Sequence, residues 1–301
     1  MKTLKLRIGR IPYANLFPIF HTLETECDCS SYEFVEGVPS KANRMLRDGE
    51  LDVSSSSSIE YLRNPADYRI IEGNSVSSRG PVGSIFLFSK KPIEQLDGSV
   101  VKVTSQSETS VALLDIIFRK FYGIQCALQA AGDPEKAGGD AYLLIGDDAL
   151  KAGKGSDKLQ VNSNSKDSNK SQVTSYKLKT KGESGDSLLV TCHSLLSYDL
   201  GDIWYRRTGL PFVFALWIVR EGLYRDNARL ELLKKFADDL NRAKLIALRN
   251  LPEIARHAPM KAFLSEEEII SYWNKLDYEL SPEHRKGLEL FKKYLVDILY
   301  P

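Results

Sequence analysis

Asn74–Ser89, NSVSSRGPVGSIFLFS, couples a polar turn bearing glycine and proline to an apolar run, and its reading decides the fold. Ser77 and Ser78 offer hydroxyls, Arg79 a planar fork of donors and Gly80 a backbone that a ligand can approach, while Pro81 stiffens the turn. Val82–Phe88 (VGSIFLF) is too short for a helix and suits a strand covered on both faces. A second run of this kind lies far downstream at Pro211–Val219 (PFVFALWIV). Either both are core strands of one α/β sheet, or they cross side by side between two lobes. In the second case the loop Ser77–Gly80 stands at the mouth of a cleft.

A chain of 301 residues is long enough for a large core, and its size suggests two lobes. Hydrophobic residues at 43% beside 27% charged ones match a soluble globular protein. With 41 basic and 40 acidic side chains the net charge is +1, so the whole-chain field gives no reason to expect nucleic acid or an anionic membrane as partner. MKTLKLRIGRIPYANLF lacks the sustained apolar core of a signal peptide, and no run approaches the roughly 20 residues that span a bilayer. Cys27, Cys29, Cys126 and Cys192 are sparse for a disulfide framework, and C-x-C without a histidine pair is not a zinc or redox spacing. The expected compartment is a reducing cytoplasm.

Leu4–Ile8 alternates like a strand and breaks at Gly9 and Pro12 into PYANLFPIFHTL. Such a turn lies at the carboxyl edge of a sheet, where open α/β sheets hold ligands. Asn15 is its polar residue, able to donate and accept towards a ligand or to cap the following helix. Tyr32–Val35 reads as a strand and Pro39–Asp48 as an amphipathic helix with Ser40 as candidate cap. Leu51–Val53 reads as a third strand, leaving the five serines Ser54–Ser58 as a hydroxyl-rich turn into the helix at IEYLRN. That turn is either an anion site or a solvated stretch in which Ser58 caps.

Val100–Val103 reads as a strand, and Thr104, Ser105, Ser107, Thr109 and Ser110 crowd the turn that opens VALLDIIFRKFYG, a helix stopped by glycine. Ala141–Asp148 is a strand ending in Gly146, Asp147 and Asp148, where the acids serve either as base or as caps. Residues 151–187 turn to Lys, Ser, Asn and Gly and are expected to form a mobile insertion, with an edge hairpin possible at Val173–Leu178. Beyond Asp226 the pattern is helical, with starts at Ser265 and Ser281-Pro282-Glu283. His257 and His284 are expected on the helix surfaces, and Tyr272 and Trp273 in the core.

IGRIPYANLFPIF, ELDVSSSSSIEYL, SSRGPVGSIFLFSKKPI, TSQSETS, YLLIGDDAL and YDLGDIWYRRTGLPFVFALW occur in this order. Together they resemble the signature blocks of the chorismate dehydratases of the futalosine route to menaquinone. The resemblance covers nearly the whole chain apart from the insertion. It implies a fold like that of type II periplasmic binding proteins: α/β, two lobes, two crossover strands and an interlobe cleft. Residues 1–86 with 214–301 would form one lobe and 87–213 the other. A sister family, 1,4-dihydroxy-6-naphthoate synthase, is less similar in these blocks. A non-catalytic cytoplasmic binder of small carboxylates is the alternative from another class.

The implied reaction is loss of water from the chorismate dianion to give 3-[(1-carboxyvinyl)oxy]benzoate. Two carboxylates need two clusters of donors, and the hydroxyl-rich turns supply them. Asn15 and Asp147 are the catalytic candidates. Ser57, Ser58, Ser78, Arg79 and Gly80 are the substrate-binding candidates of the first two serine-rich stretches, and Thr104, Ser107, Thr109 and Ser110 those of the third. No histidine lies in the blocks except His21 just after the first, which helical phase turns elsewhere. The base is therefore either the substrate's own enolpyruvyl carboxylate or one of Glu60 and Asp147. No metal-ligand spacing or dinucleotide fingerprint occurs, so no cofactor is expected, and the sequence carries no signal for oligomeric state.

Overall fold

The chain crosses between two sheets twice, and the computed structural model describes residues 4–154, 158–160 and 195–299. Strands β1 (Leu6–Arg10), β2 (Tyr32–Glu36), β3 (Val53–Ser57) and β4 (Tyr68–Ser78) come first. They are followed by β5 (Ile85–Ser89), β6 (Val100–Thr104), β7 (Ala127–Ala131), β8 (Ala141–Ile145), β9 (Lys158–Gln160), β10 (Leu195–Asp199) and β11 (Phe212–Arg220). Helices α1 (Phe17–Glu26), α2 (Pro39–Arg47) and α3 (Ser58–Arg63) belong to the first pass, and α4 (Glu108–Ile116), α5 (Gly146–Gly153) and α6 (Leu200–Thr208) to the second. The C-terminal part adds α7 (Asn227–Arg249), α8 (Leu251–Ala255), α9 (Glu266–Trp273) and α10 (Pro282–Leu299).

The first sheet has the order β2-β1-β3-β11-β4 and the second β7-β6-β8-β5-β10-β9. Parallel pairs such as β1 with β2 and β6 with β7 enclose α1 and α4, as a parallel connection requires. Each crossing delivers a strand that sits antiparallel inside its new sheet: β5 between β8 and β10, and β11 between β3 and β4. Both apolar runs therefore supply interior strands covered on both faces, although β5 begins only at Ile85 and Val82–Ser84 belong to the crossing rather than to the expected strand. In β5 one face joins the main core through Ile85 and Leu87, while Phe86 and Phe88 form a separate cluster with Tyr142, Leu144 and Ala149.

The crossings themselves are short and clamped. Outbound residues 79–84 are gripped by Asp199, whose Oδ1 accepts from Val82 N (3.0 Å) and whose Oδ2 accepts from Gly83 N (2.7 Å). The same carboxylate caps α6 by accepting from Gly201 N and Asp202 N. Burial drives Asp199 up to about 6, against the pull of the N–H donors of Gly83 and Val82. A Cβ on Gly201 would lie 2.7 Å from the Gly80 carbonyl oxygen, so this approach of helix to crossing admits only glycine. Neither Asp199 nor Gly201 stands out in the sequence, because their partners lie more than a hundred residues away.

Several expectations change. Asn74–Ser78 is not a loop but the end of β4, so the crossing starts at Arg79. Ser54–Ser57 is not a turn but the body of β3, wholly buried between β1 and β11 with Ser57 opposite Ala215 and Val53 opposite Val219. Ser40 makes no cap: Val38 stands at that position and Pro39 opens the helix. His284 is fully buried rather than exposed, with Nδ1 2.8 Å from Ser281 Oγ and Nε2 3.1 Å from Asp277 Oδ2. Tyr272 and Trp273 are core residues, and α9 opens with a Ser265–Glu268 capping box. Lys151–Gly153 complete α5 and Lys154 caps it, so the expected mobile insertion is helical at its start, while the rest of it, including Val173–Leu178, lies outside the described residues apart from β9. Among the described residues no helix is long and apolar enough to cross a membrane.

Candidate active site

Between the sheets lies a cleft enclosing about 620 Å³ of empty space, part of it open to solvent. Its walls come from the carboxyl ends of β1, β3, β6 and β8 and from the outbound crossing, so both sheets contribute.

The floor is β3. Side chains alternate along a strand, and Ser55 and Ser57 therefore share the face that opens to the cleft, while Ser54 and Ser56 point the other way. Gly9 makes room behind it, since a Cβ there would lie 2.7 Å from Ser54 Oγ. Ser55 Oγ is buried without a protein partner. Ser57 Oγ accepts from Asn43 Nδ2 at 2.9 Å.

The turn after β1 is pinned from several sides. Ala14 N donates to Asp147 Oδ1 at 3.0 Å, and the Ala14 carbonyl accepts from Trp273 Nε1 at 2.8 Å. The Asn15 carbonyl accepts from the Tyr278 hydroxyl at 2.6 Å, and the Tyr13 hydroxyl donates to Gln106. Burial, then the nearby Asp147 and Asp148, push Tyr13 up to about 12, so it stays a neutral donor. These anchors leave the Asn15 side chain lining the cleft, with Oδ1 buried and unpartnered. The opposite wall carries the start of α4, where Ser107 caps the helix by accepting from Ser110 N and shares a 3.0 Å hydroxyl contact with Ser110. Ser84, on the crossing, receives the Tyr272 hydroxyl at 3.1 Å. Gly146 faces the Tyr13 ring, with a φ of +57° and only 3.3 Å for a Cβ.

Of the residues read from sequence, the structure brings Asn15, Ser57, Ser107 and Ser110 to the cleft wall. The others are engaged elsewhere. Ser58 Oγ donates to the Val213 carbonyl and Ser78 Oγ to the Gly80 carbonyl. Arg79 turns out of the cleft to Asp277 and Glu283, because those carboxylates flank the crossing from the C-terminal segment. Gly80 holds a φ of +115°, and a Cβ there would only touch the Tyr205 ring at 3.9 Å, so its glycine serves backbone conformation rather than close approach. Thr104 Oγ1 accepts from Gln106 N, and Thr109 Oγ1 from Ile59 N across the cleft. Asp147 spends Oδ1 on Ala14; burial pushes its carboxyl up, while the Ala14 bond and Lys151 pull it back. Glu60 is taken by Tyr68 and Arg47. Among the described residues none that lines the cleft is a lysine, arginine or histidine.

The sequence reading passed over Ser55 and Ser84, and Asn43 behind them. Ser55 was one of five serines in an apparent turn, and nothing in the amphipathic helix Pro39–Asp48 singled out Asn43.

The family described as menaquinone biosynthesis matches residues 6–162 and 185–297. The chain belongs to this family. Its sequence is 29% identical over 290 residues to chorismate dehydratase of Thermus thermophilus, covering 96% of this chain and 94% of that one. In fold this family member is similar to a solved protein of Archaeoglobus fulgidus, with a TM-score of 0.71 at 16% identity over 99% of both chains. It is also similar to the periplasmic aliphatic sulphonate binding protein of Escherichia coli, with a TM-score of 0.61 at 14% identity over 99% of this chain and 87% of that one. A Candida albicans protein described as having the generic periplasmic binding protein fold gives 0.62 at 11% identity, over 98% and 90% of the two chains. The architecture of this family member is therefore the two-lobed periplasmic-binding-protein fold, in agreement with the paired crossings.

Proposed function

We propose that this chain is a cytoplasmic hydro-lyase that converts chorismate to 3-[(1-carboxyvinyl)oxy]benzoate and water. The observation that carries the reading is a cleft whose polar lining is serine hydroxyls, the Tyr13 ring hydroxyl and an asparagine amide, with no lysine, arginine or histidine among the described residues of its wall. The two lobes, built on the two sheets and expected at 1–86 with 214–301 and at 87–213, close on the dianion, with their bounds moved to the crossings before β5 and before β11 so that neither strand is divided.

Ser107 and Ser110, at the N-terminal end of α4, offer hydroxyls where the helix dipole favours negative charge, and suit one carboxylate. Ser55 and Ser57 suit the other. Loss of the ring proton beside the ether oxygen leaves an electron pair spread over the diene and ring carboxylate. Donors fixed on that carboxylate bind the developing charge more tightly than the ground state. The pair then forms the last ring double bond as the hydroxyl leaves, and proton and hydroxide together make water. Asn15 Oδ1, buried without a protein donor, accepts from the substrate hydroxyl and holds it in place.

The base is the substrate's enolpyruvyl carboxylate. Glu60 gives both oxygens to Tyr68 and Arg47, Asp147 gives one to Ala14 N, and neither side chain is among the described residues that line the cleft. A wall without cations also leaves the substrate carboxylate its basicity, which an arginine or lysine would lower. Glu60→Gln and Asp147→Asn should retain turnover to within about threefold, whereas loss of a true general base costs about 100-fold or more. Collapse of kcat with intact chorismate binding in either variant would identify that carboxylate as the base.

A further inference from the structure

Asn43 is the one polar residue on the buried side of α2, beside Ala42 and Leu46. It is 5% exposed, and an apolar residue would serve the packing better there. Its Nδ2 donates to Ser57 Oγ at 2.9 Å, while its Oδ1 has no protein partner. A half-satisfied buried amide costs stability, so its presence needs another cause.

That cause lies in the hydroxyl. Serine has one proton to donate, and its direction is free unless a neighbour sets it. An amide N–H pointed at Oγ fills an acceptor position and turns the serine proton away from Asn43. Ser57 lies on the cleft floor, so the remaining direction for that proton is the cleft. We propose that Asn43 is a positioning residue that fixes Ser57 as a donor to a substrate carboxylate. The inference rests on the reading of the cleft as the chorismate site. It adds a residue that touches no substrate, and acts on the reaction only through the hydroxyl it orients. The neighbouring ion pair of Arg47 with Glu60, on the same helix and on α3, is satisfied by Tyr68 and does not compete for Ser57.

A double-mutant cycle on kcat/KM tests this. Asn43→Ala should lower kcat/KM about tenfold in the wild-type background and less than about twofold in Ser57→Ala, because its effect passes through that hydroxyl. Equal penalties in both backgrounds would make Asn43 a packing residue and overturn the proposal. Asn43→Asp, nearly isosteric, gives a second reading should the alanine variant fold poorly. A carboxylate can only accept, so it draws the Ser57 proton out of the cleft and should cost about 100-fold at pH 8. The loss should shrink as the pH falls and the new carboxyl protonates, giving an acid-side rise absent from the wild type. An aspartate variant as active as wild type at every pH contradicts the proposal, since Ser57 would then already be donating to residue 43. Wild-type protein that leaves chorismate unchanged overturns the functional reading itself, and the inference with it; active wild type with additive penalties overturns the inference alone.

Discussion

Strands β3 and β4 flank β11 in one sheet, and both are built of serines, yet their hydroxyls meet opposite fates. On β4, Ser75 Oγ donates to the Glu279 carbonyl and Ser77 Oγ to the Asp277 carbonyl, at 2.5 and 2.9 Å. Ser75 N and Ser77 N donate to the Tyr278 and Asp277 carbonyls, so the C-terminal segment covers the edge of this strand. On β3, Ser55 has no protein partner and Ser57 only accepts from Asn43, so both keep a proton for the cleft. The same side chain is thus tied to neighbouring backbone or left facing the cleft according to what lies across from it. An edge strand can recruit neighbouring backbone to satisfy its hydroxyls; a strand whose face opens on a cleft cannot.

The comparison breaks most visibly through activity. Ser57→Ala and Asn15→Ala should each lower kcat/KM about 100-fold, the order expected when a donor or acceptor made for the transition state is lost. Melting temperature should stay within about 2 °C for Asn15→Ala, whereas Ser57→Ala leaves the buried Asn43 Nδ2 without its acceptor and should also cost about 1–3 kcal/mol of stability. A variant that melts early with unchanged turnover would put β3 on the structural side.

On β4 the pattern should invert. Ser75→Ala with Ser77→Ala should cost about 2 kcal/mol in urea unfolding, about 1 for each lost hydrogen bond, with kcat/KM within about twofold. An activity loss like that of Ser57→Ala would erase the distinction between the strands.

The segment that covers β4 should also show in the acid limb. Burial opposes ionisation of Asp277, but hydrogen bonds from His284, Glu279 N and Arg79 outweigh it and hold the carboxyl at about 2. A depressed carboxyl contributes stability that is present above its unfolded value near 4 and lost as pH falls towards 2. Asp277→Asn should therefore flatten stability over that window, measured by thermal melts from pH 5 to about 2. An unchanged acid limb would remove this ion pair from the account of how β4 is covered.

The fold was legible where contrast along the chain is strong. IFLF of Val82–Phe88 and FVFALWIV of Pro211–Val219 declare interior strands by their apolar runs, and glycine, proline and serine boundaries mark helix starts and stops. Ser54–Ser57 defeated that reading, because a run of one residue has no alternation to show which face is buried. Only its neighbours β1 and β11, brought from both ends of the chain, make it a strand. Arg79 looked like a ligand for the same reason: the partners that claim it are Asp277 and Glu283, far away in sequence. His284 looked exposed because helix starts usually are, yet here α10 begins against Asp277. In the site, Asn15, Ser107 and Ser110 were readable from turns at strand ends. Asn43 was not, since its meaning depends on which serine it meets.

A cleft with neutral donors and, among its described lining residues, no lysine, arginine or histidine should dehydrate chorismate. Purified protein mixed with chorismate, followed by ultraviolet absorbance and product mass, tests it most directly. The account predicts loss of one water and the appearance of a benzoate chromophore. Chorismate recovered unchanged from a protein that binds it would contradict the account and leave a binding protein in its place.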